Sequence, residues 1–138
     1  MYRNALPFLM LLAVPRVTHA DEFFHGHHFG KSYNVAVTCE VLKKAPVWDE
    51  SRAENPPISA RKALKVATDF RKTLIPDSPK WRWELKFLAL HKTDGRWYWL
   101  ADFLVVPQPG GIDGESPDFF VAVLMDGTVV KPDVDNDP

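Results

Sequence analysis

Three histidines near the start of the chain have the residue type and spacing best suited to chemistry. His25, His27 and His28 stand together in the stretch HGHH. Neutral imidazole binds Zn²⁺ and Cu²⁺ well, so the cluster is a candidate zinc or copper site. A structural zinc site uses four ligands at fixed spacing, and no cysteine pair or His-x₃-His pair accompanies these residues. The alternative is that 21–32 is a flexible, His-rich arm that holds no resident metal.

Polar residues on one predicted hairpin form a second candidate site. Arg82, Tyr98 and Asp102 are predicted to share the wetter face of a sheet, where they are candidates for binding a ligand or a protein partner. Lys86 is expected opposite Asp102 as a cross-strand ion pair. Glu84 falls on the same face, so an acid–base pair of Glu84 and Asp102 in a small enzyme is a further alternative.

The sequence lacks the common catalytic and nucleotide-binding motifs. It contains no Gly-x-Ser-x-Gly, His-Glu-x-x-His, P-loop or dinucleotide-binding pattern. The only cysteine, Cys39, falls on the apolar face of a predicted strand, which indicates a small buried side chain rather than a nucleophile. We therefore expect a protein that is not an enzyme and that carries no cofactor.

The element that positions the second site is a long β-hairpin over Trp81–Val106. Apolar and polar residues alternate in both arms, with the period of a half-buried strand. A three-residue loop, Thr93 to Gly95, is preferred because a two-residue loop puts the charged Asp102 opposite Phe87. The cross-strand pairs in the preferred register are Phe87–Ala101, Leu85–Phe103 and Lys86–Asp102.

One amphipathic helix is predicted over 60–74, directly after Ser59, which is a good N-cap residue. The apolar stripe of this helix is expected to cover the apolar face of the hairpin and to form the core with it. The residues predicted to meet in that core are Leu64, Ala67, Phe70, Trp83, Phe87, Trp99 and Phe103.

The remaining elements complete the predicted fold class. Further strands are expected over Tyr33–Val41, Phe119–Met125 and Thr128–Lys131, the last two joined by an Asp126-Gly127 turn. The result is an α+β fold in which one helix packs on a roughly four-stranded antiparallel sheet. A single domain over 33–132 is then followed by an acidic tail, 133–138, which is expected to be loose.

Residues 1–20 have the pattern of a signal peptide. Arg3 supplies the positive charge, an apolar run over Ala5–Val14 is too short to span a bilayer, and Thr18–Ala20 resembles a cleavage site. We expect an exported protein, periplasmic or secreted, that is cleaved near Ala20 and makes no stable membrane insertion. The chain carries a net charge of −1, and this segment contains two arginines and no acidic residue, so nothing favours nucleic-acid binding.

The order of elements over 57–132, with the Trp-rich strand Trp81–Phe87 and the closing stretch VLMDGTVVKP, resembles small secreted PepSY-type domains and, more broadly, the cystatin-like fold. The resemblance implies an exported, non-enzymatic module that binds or inhibits a partner, such as another exported or envelope protein. The Gln-x-Val-x-Gly loop of true cystatins is missing, which argues against inhibition of cysteine proteases. Metal handling by the histidine cluster and a small cystatin-like enzyme stay open as alternatives.

Overall fold

The structure, a computed structural model, describes residues 21–107 and 118–136. These residues form an α+β fold with two helices and two antiparallel sheets, in the strand orders β1-β2-β6 and β3-β4-β5. The strands are β1 (Glu22–His28), β2 (Lys31–Val37), β3 (Trp81–Thr93), β4 (Arg96–Pro107), β5 (Asp118–Val123) and β6 (Asp133–Asn136), and the helices are α1 (Cys39–Leu42) and α2 (Ala60–Leu74). The predicted signal peptide, 1–20, lies outside the described residues. Neither of the two helices has the length and apolar character that crossing a bilayer requires.

Helix α2 has the bounds predicted from the sequence. The Ser59 hydroxyl accepts a hydrogen bond from the backbone N–H of Lys62 at 3.2 Å, which satisfies one donor of the first turn. Ala63 and Ala67 are fully buried, and their small side chains bring the helix close to the sheet β3-β4-β5. Pro76 follows soon after the last helical residue and disfavours further helix.

Strands β3 and β4 form the predicted hairpin, but its loop differs from the prediction. Asp94 and Gly95 both have positive φ angles, 51° and 73°, and Thr93 pairs directly with Arg96. The loop therefore has two residues, and the predicted three-residue loop is wrong. Two successive positive φ angles match the right-handed twist of a hairpin, and Asp-Gly is a preferred sequence for such a turn.

A β-bulge at Lys86 changes the register partway along the hairpin. On the loop side of the bulge, Phe87 pairs with Asp102. This is the register of the two-residue loop, which the sequence analysis did not favour. On the other side, Leu85 pairs with Phe103, as predicted. The extra residue in β3 is left without a partner position on β4, so the two halves of the hairpin follow different registers.

Both faces of β4 and β5 in the sheet β3-β4-β5 pack against a core. On one face α2 packs near Trp99, Ala101 and Phe103, which confirms that part of the predicted core. The opposite face was predicted to be wet. This is wrong for its β4 residues, because Tyr98 and Asp102 are only 0% and 1% exposed, whereas Arg82, Glu84 and Lys86 of β3 are exposed as predicted. The sheet β1-β2-β6 lies over this second face. The buried residues of the second core are Val35, Val37, Leu42, Ala45, Tyr98, Leu100, Ala122, Leu124 and Val130.

Two segments that were predicted to be loose contain strands. The segment 21–32 forms β1 and a tight turn at Phe29-Gly30, after which the chain returns as β2. Residues 133–136 of the acidic tail form β6, which pairs with the other edge of β2. The predicted four-stranded sheet is therefore wrong, and two three-stranded sheets take its place.

The strand predicted over Tyr33–Val41 ends early, at Val37. The Thr38 hydroxyl accepts a hydrogen bond from the backbone N–H of Val41 and caps the short helix α1. Cys39 is thus the first residue of a helix rather than a mid-strand residue, although its side chain is buried as predicted. The hydrogen bond from the Val41 N–H to the Thr38 side chain starts a helix at a place where the alternating apolar pattern predicted a continuing strand.

Candidate functional site

The longest run of exposed residues in the sheet β3-β4-β5 lies in β3 and contains two large apolar side chains. Residues 84–87 are all exposed, and they include the large apolar side chains of Leu85 and Phe87, which are 42% and 36% exposed. Among the described strands, β3 pairs with β4 alone, so it forms an edge of its sheet. An edge strand presents backbone N–H and C=O groups to any chain that can pair with it.

The bulge at Lys86 explains why Phe87 leaves the main core. Without the bulge, Leu85 and Phe87 would lie on the same face, under α2. With it, Leu85 shares a face with Phe103 while Phe87 shares the opposite face with Asp102. The prediction that Phe87 belongs to the main core is therefore wrong. The two side chains instead flank the edge of the sheet, one on each face.

Two carboxylates hold the bulged lysine in place. Lys86 Nζ lies 3.1 Å from Asp118 Oδ1 and 3.6 Å from Asp102 Oδ2. Burial, together with the negative charge of Asp118, raises the pKa of Asp102 to about 6, although Lys86 acts in the opposite direction. The hydrogen bond to Asp118 raises the pKa of Lys86. Asp102 Oδ1 is buried without a hydrogen-bond partner, so this carboxyl group is only partly satisfied.

The three predicted partner-binding residues are not brought together on one accessible surface. Arg82 is exposed on β3 and pairs with Glu84 at 2.7 Å. Tyr98 is fully buried, and its hydroxyl donates a hydrogen bond to the Glu22 side chain of β1. Asp102 is buried beside Lys86. Only Arg82 therefore lies where a partner has direct access to it.

The structure separates His28 from His25 and His27. His25 and His27 point from the exposed face of β1, and the His25 Nδ1 atom donates to Asn34 Oδ1 at 2.6 Å. His28 points inward, donates to the backbone carbonyl of Asp118 at 3.2 Å, and has a pKa lowered by burial. Over 21–107 and 118–136, no three His, Cys, Asp or Glu side chains are grouped closely enough to hold a metal ion.

The exposed apolar pair was missed by the sequence interpretation, although a signal for it exists. The Asp94-Gly95 turn favours the register that pairs Phe87 with Asp102, whereas the residues before Lys86 favour the register of the three-residue loop. In the structure, the register favoured by the turn holds between the turn and the bulge, and the register favoured by the earlier residues holds on the other side of the bulge. A conflict of this kind within one hairpin is the pattern that a bulge resolves.

Comparisons with protein-family models, with curated proteins and with solved structures find no match to this chain. The resemblance to PepSY-type and cystatin-like domains therefore stays a hypothesis based on sequence pattern. What the site offers chemically follows from its own geometry. It presents an edge of backbone hydrogen-bonding groups, two exposed apolar side chains on opposite faces, and a lysine fixed between two carboxylates.

Proposed function

We propose that this protein is an exported, non-enzymatic binding module that docks an extended segment of another exported or envelope protein on the edge of β3. The observation that carries the proposal is the run of exposed residues at 84–87 on an edge strand, with Leu85 and Phe87 among them. Addition of a strand to an exposed sheet edge is a recurring way of binding peptides, in which backbone pairing supplies affinity and side chains supply specificity.

The length and composition of β3 support this role. The strand has 13 residues, whereas proteins usually keep edge strands short or cover them in order to avoid aggregation. Protective features that β3 does have include charged side chains along the strand and a bulge at Lys86. These features limit indiscriminate pairing along the strand and leave a defined place at which a partner segment can align.

The positions of the two apolar side chains indicate what the partner segment looks like. Leu85 and Phe87 lie on opposite faces of the sheet edge, so a segment that pairs beside them has both of its own faces next to apolar surface. A matching segment therefore carries consecutive apolar residues rather than a strict alternation of apolar and polar ones. The acidic residue of the exposed run, Glu84, already has a cationic partner in Arg82.

Selection of displayed peptides on the folded protein tests the proposal. Random peptides of about ten residues, the length of a long strand, are selected on the wild-type protein. We expect the selected peptides to carry consecutive apolar residues. Their affinity should fall about tenfold or more when Leu85 and Phe87 are both replaced by Lys, because the change removes apolar contact area and places two charges beside the apolar residues of the peptide.

The Val47→Lys variant is the matched control for that experiment. Val47 is 58% exposed and lies in the connection between α1 and α2, outside the strands of the sheet β3-β4-β5. This variant should bind the selected peptides as the wild type does, and circular dichroism should show that all variants are folded. Peptides that bind the wild type and both variants equally, or that map by NMR to a surface other than β3, would contradict the proposal.

A further inference from the structure

The tryptophans of this chain differ in how their indole N–H groups are used. Three of the five donate to a protein acceptor, whereas the indole N–H groups of Trp81 and Trp83 are buried and have no partner. The three satisfied pairs are Trp48 with the carbonyl of Ala53 at 2.9 Å, Trp97 with the carboxylate of Glu50 at 3.1 Å, and Trp99 with the carbonyl of Ile58 at 3.2 Å. The unsatisfied pair is at the start of β3, on two positions that share one face.

A buried arginine adds a third unsatisfied donor at the same place. The Arg71 residue is 3% exposed, and its guanidinium carbon lies 4.6 Å from the centre of the Trp83 ring. Arg71 Nη1 donates to Asp77 Oδ1 at 2.6 Å and to the carbonyl of Ile75 at 3.3 Å. Arg71 Nε, however, is buried and has no hydrogen-bond partner. Buried donors without partners are rare in folded proteins and call for an explanation.

The chemistry of these donors defines the group that would satisfy them. Indole and guanidinium N–H groups donate hydrogen bonds and cannot accept them, so the missing partner is an acceptor. A carboxylate has two oxygens and can accept several hydrogen bonds at once. The local charge also suits an anion, because Arg71 and Lys72 both pair with the single carboxylate of Asp77. One positive charge is left over for a ligand.

An exposed side chain stacks on one of these tryptophans. The Phe29 ring lies 4.6 Å from the Trp81 ring, with an angle of 34° between the ring planes. Phe29 is 47% exposed, stands in the turn between β1 and β2, and has a φ angle of 53°. A bulky residue with positive φ is strained, so movement of this turn releases strain that offsets part of the lost stacking.

From these observations we infer a binding site for a small carboxylic acid that carries an apolar ring. The carboxylate accepts hydrogen bonds from Arg71, Trp81 and Trp83, and the ring takes the place of the Phe29 side chain on Trp81. This site is separate from the exposed residues 84–87, and the inference does not depend on the docking of a protein segment there.

NMR of the indole N–H groups tests the inference on the unmodified protein. Titration with sodium phenylacetate should shift the Trp81 and Trp83 signals and leave the other three indole signals in place, which serve as internal controls. The neutral analogue 2-phenylethanol, with the same ring and no carboxylate, should not shift them. The inference fails if phenylacetate moves none of the signals, if it moves all five alike, or if 2-phenylethanol has the same effect.

Two tryptophan variants separate a binding role from a structural one. Trp83→Phe keeps an aromatic ring but removes an unsatisfied donor, so it should bind phenylacetate about tenfold more weakly and lower Tm less than Trp99→Phe does. Trp99→Phe, the matched control, removes a satisfied donor and should lower Tm more, with unchanged phenylacetate affinity. Phe29→Gly should raise the affinity, since it removes the ring that stacks on Trp81. The opposite pattern in the two tryptophan variants, or a weaker Phe29→Gly variant, would overturn the inference.

Discussion

Lys86 Nζ lies 3.6 Å from Asp102 Oδ2, although the residue paired with Asp102 across the hairpin is Phe87. The bulge allows both relationships at once, since the lysine sits at the extra position of β3 and reaches over to the neighbouring strand. The same bulge exposes Phe87 at the edge of the sheet. A single inserted residue therefore sets both the charged and the apolar features of the proposed docking edge.

The buried carboxyl group of Asp102 should make stability depend on pH. Its pKa is 3.8 when unperturbed and about 6 in the folded protein, so between these pH values the folded state binds more protons than the unfolded state. This group's contribution to stability therefore decreases as pH rises from about 4 to about 6. Urea unfolding of the wild type and of Asp102→Asn across this range measures the effect, and the variant should gain stability relative to the wild type as pH rises.

The comparison with Asp102→Asn cancels the contributions of other acids. Glu50, Asp69 and Asp77 have lowered pKa values because of their cationic partners, and they act in the opposite direction at lower pH in both proteins. A stability difference between wild type and variant that stays constant from pH 4 to pH 7 would show that Asp102 does not titrate in this range.

The two phenylalanines near the bulge should differ in their effect on stability. Phe103 is 4% exposed under α2, and Phe103→Ala should cost about 3–5 kcal/mol. Phe87 is 36% exposed, and Phe87→Ala should cost about 1 kcal/mol or less. Denaturant titration of both variants measures this difference. Equal losses would mean that Phe87 belongs to the core, as the uninterrupted hairpin register had predicted.

Gly26 should not tolerate a larger residue. A Cβ atom at this position would lie 2.4 Å from the backbone carbonyl oxygen of Asp118, where neither backbone moves freely. Gly26→Ala should therefore destabilise the protein by about 1–3 kcal/mol through overpacking. Gly127→Ala is the comparison, because its Cβ meets open space and its cost, about 1 kcal/mol, comes only from the positive φ angle. A neutral Gly26→Ala variant would show that β1 does not pass this close to β5.

The zinc or copper site stays a prediction, and the structure makes it more specific. Because His25 and His27 share the exposed face of β1, we expect His25→Ala and His27→Ala each to lower the affinity for added zinc. His28→Ala should leave zinc affinity unchanged and should cost about 1–3 kcal/mol of stability through the lost bond to Asp118. Calorimetric titration with zinc measures the affinity. Equal, weak binding by wild type and by the His25→Ala/His27→Ala double variant would leave the cluster without a metal role.

The parts of the fold that could be predicted are those with a strong local pattern. Helix α2 has an N-cap, an apolar stripe and a closing proline, and its bounds are confirmed. The hairpin position and the buried face with Trp99 and Phe103 also follow from alternation alone. Strands β1 and β6 have no such pattern, since β1 is rich in Gly and His and β6 is largely acidic. Their pairing with β2 depends on contacts between distant residues, which a local pattern does not contain.

The candidate site was harder to predict than the fold, for a physical reason. The closeness of Lys86 and Asp102 is confirmed, but the register from which it was predicted is wrong. The polar face with Tyr98 was expected to be wet because, in the predicted fold, one helix covers one face of a single sheet and leaves the other face in solvent. A second sheet buries the other face as well, and the alternation in β4 is the same in both cases.

Hydrogen exchange of the β3 amides tests the proposed function most directly. The experiment compares the free protein with the protein bound to a peptide selected on it. A peptide that adds to the edge of β3 should slow exchange at alternate amides over 84–90, because only the outward-facing amides gain a hydrogen-bond partner. Binding of the peptide with unchanged exchange in β3, and with new protection confined to β1, β6 or α2, would contradict docking on the β3 edge.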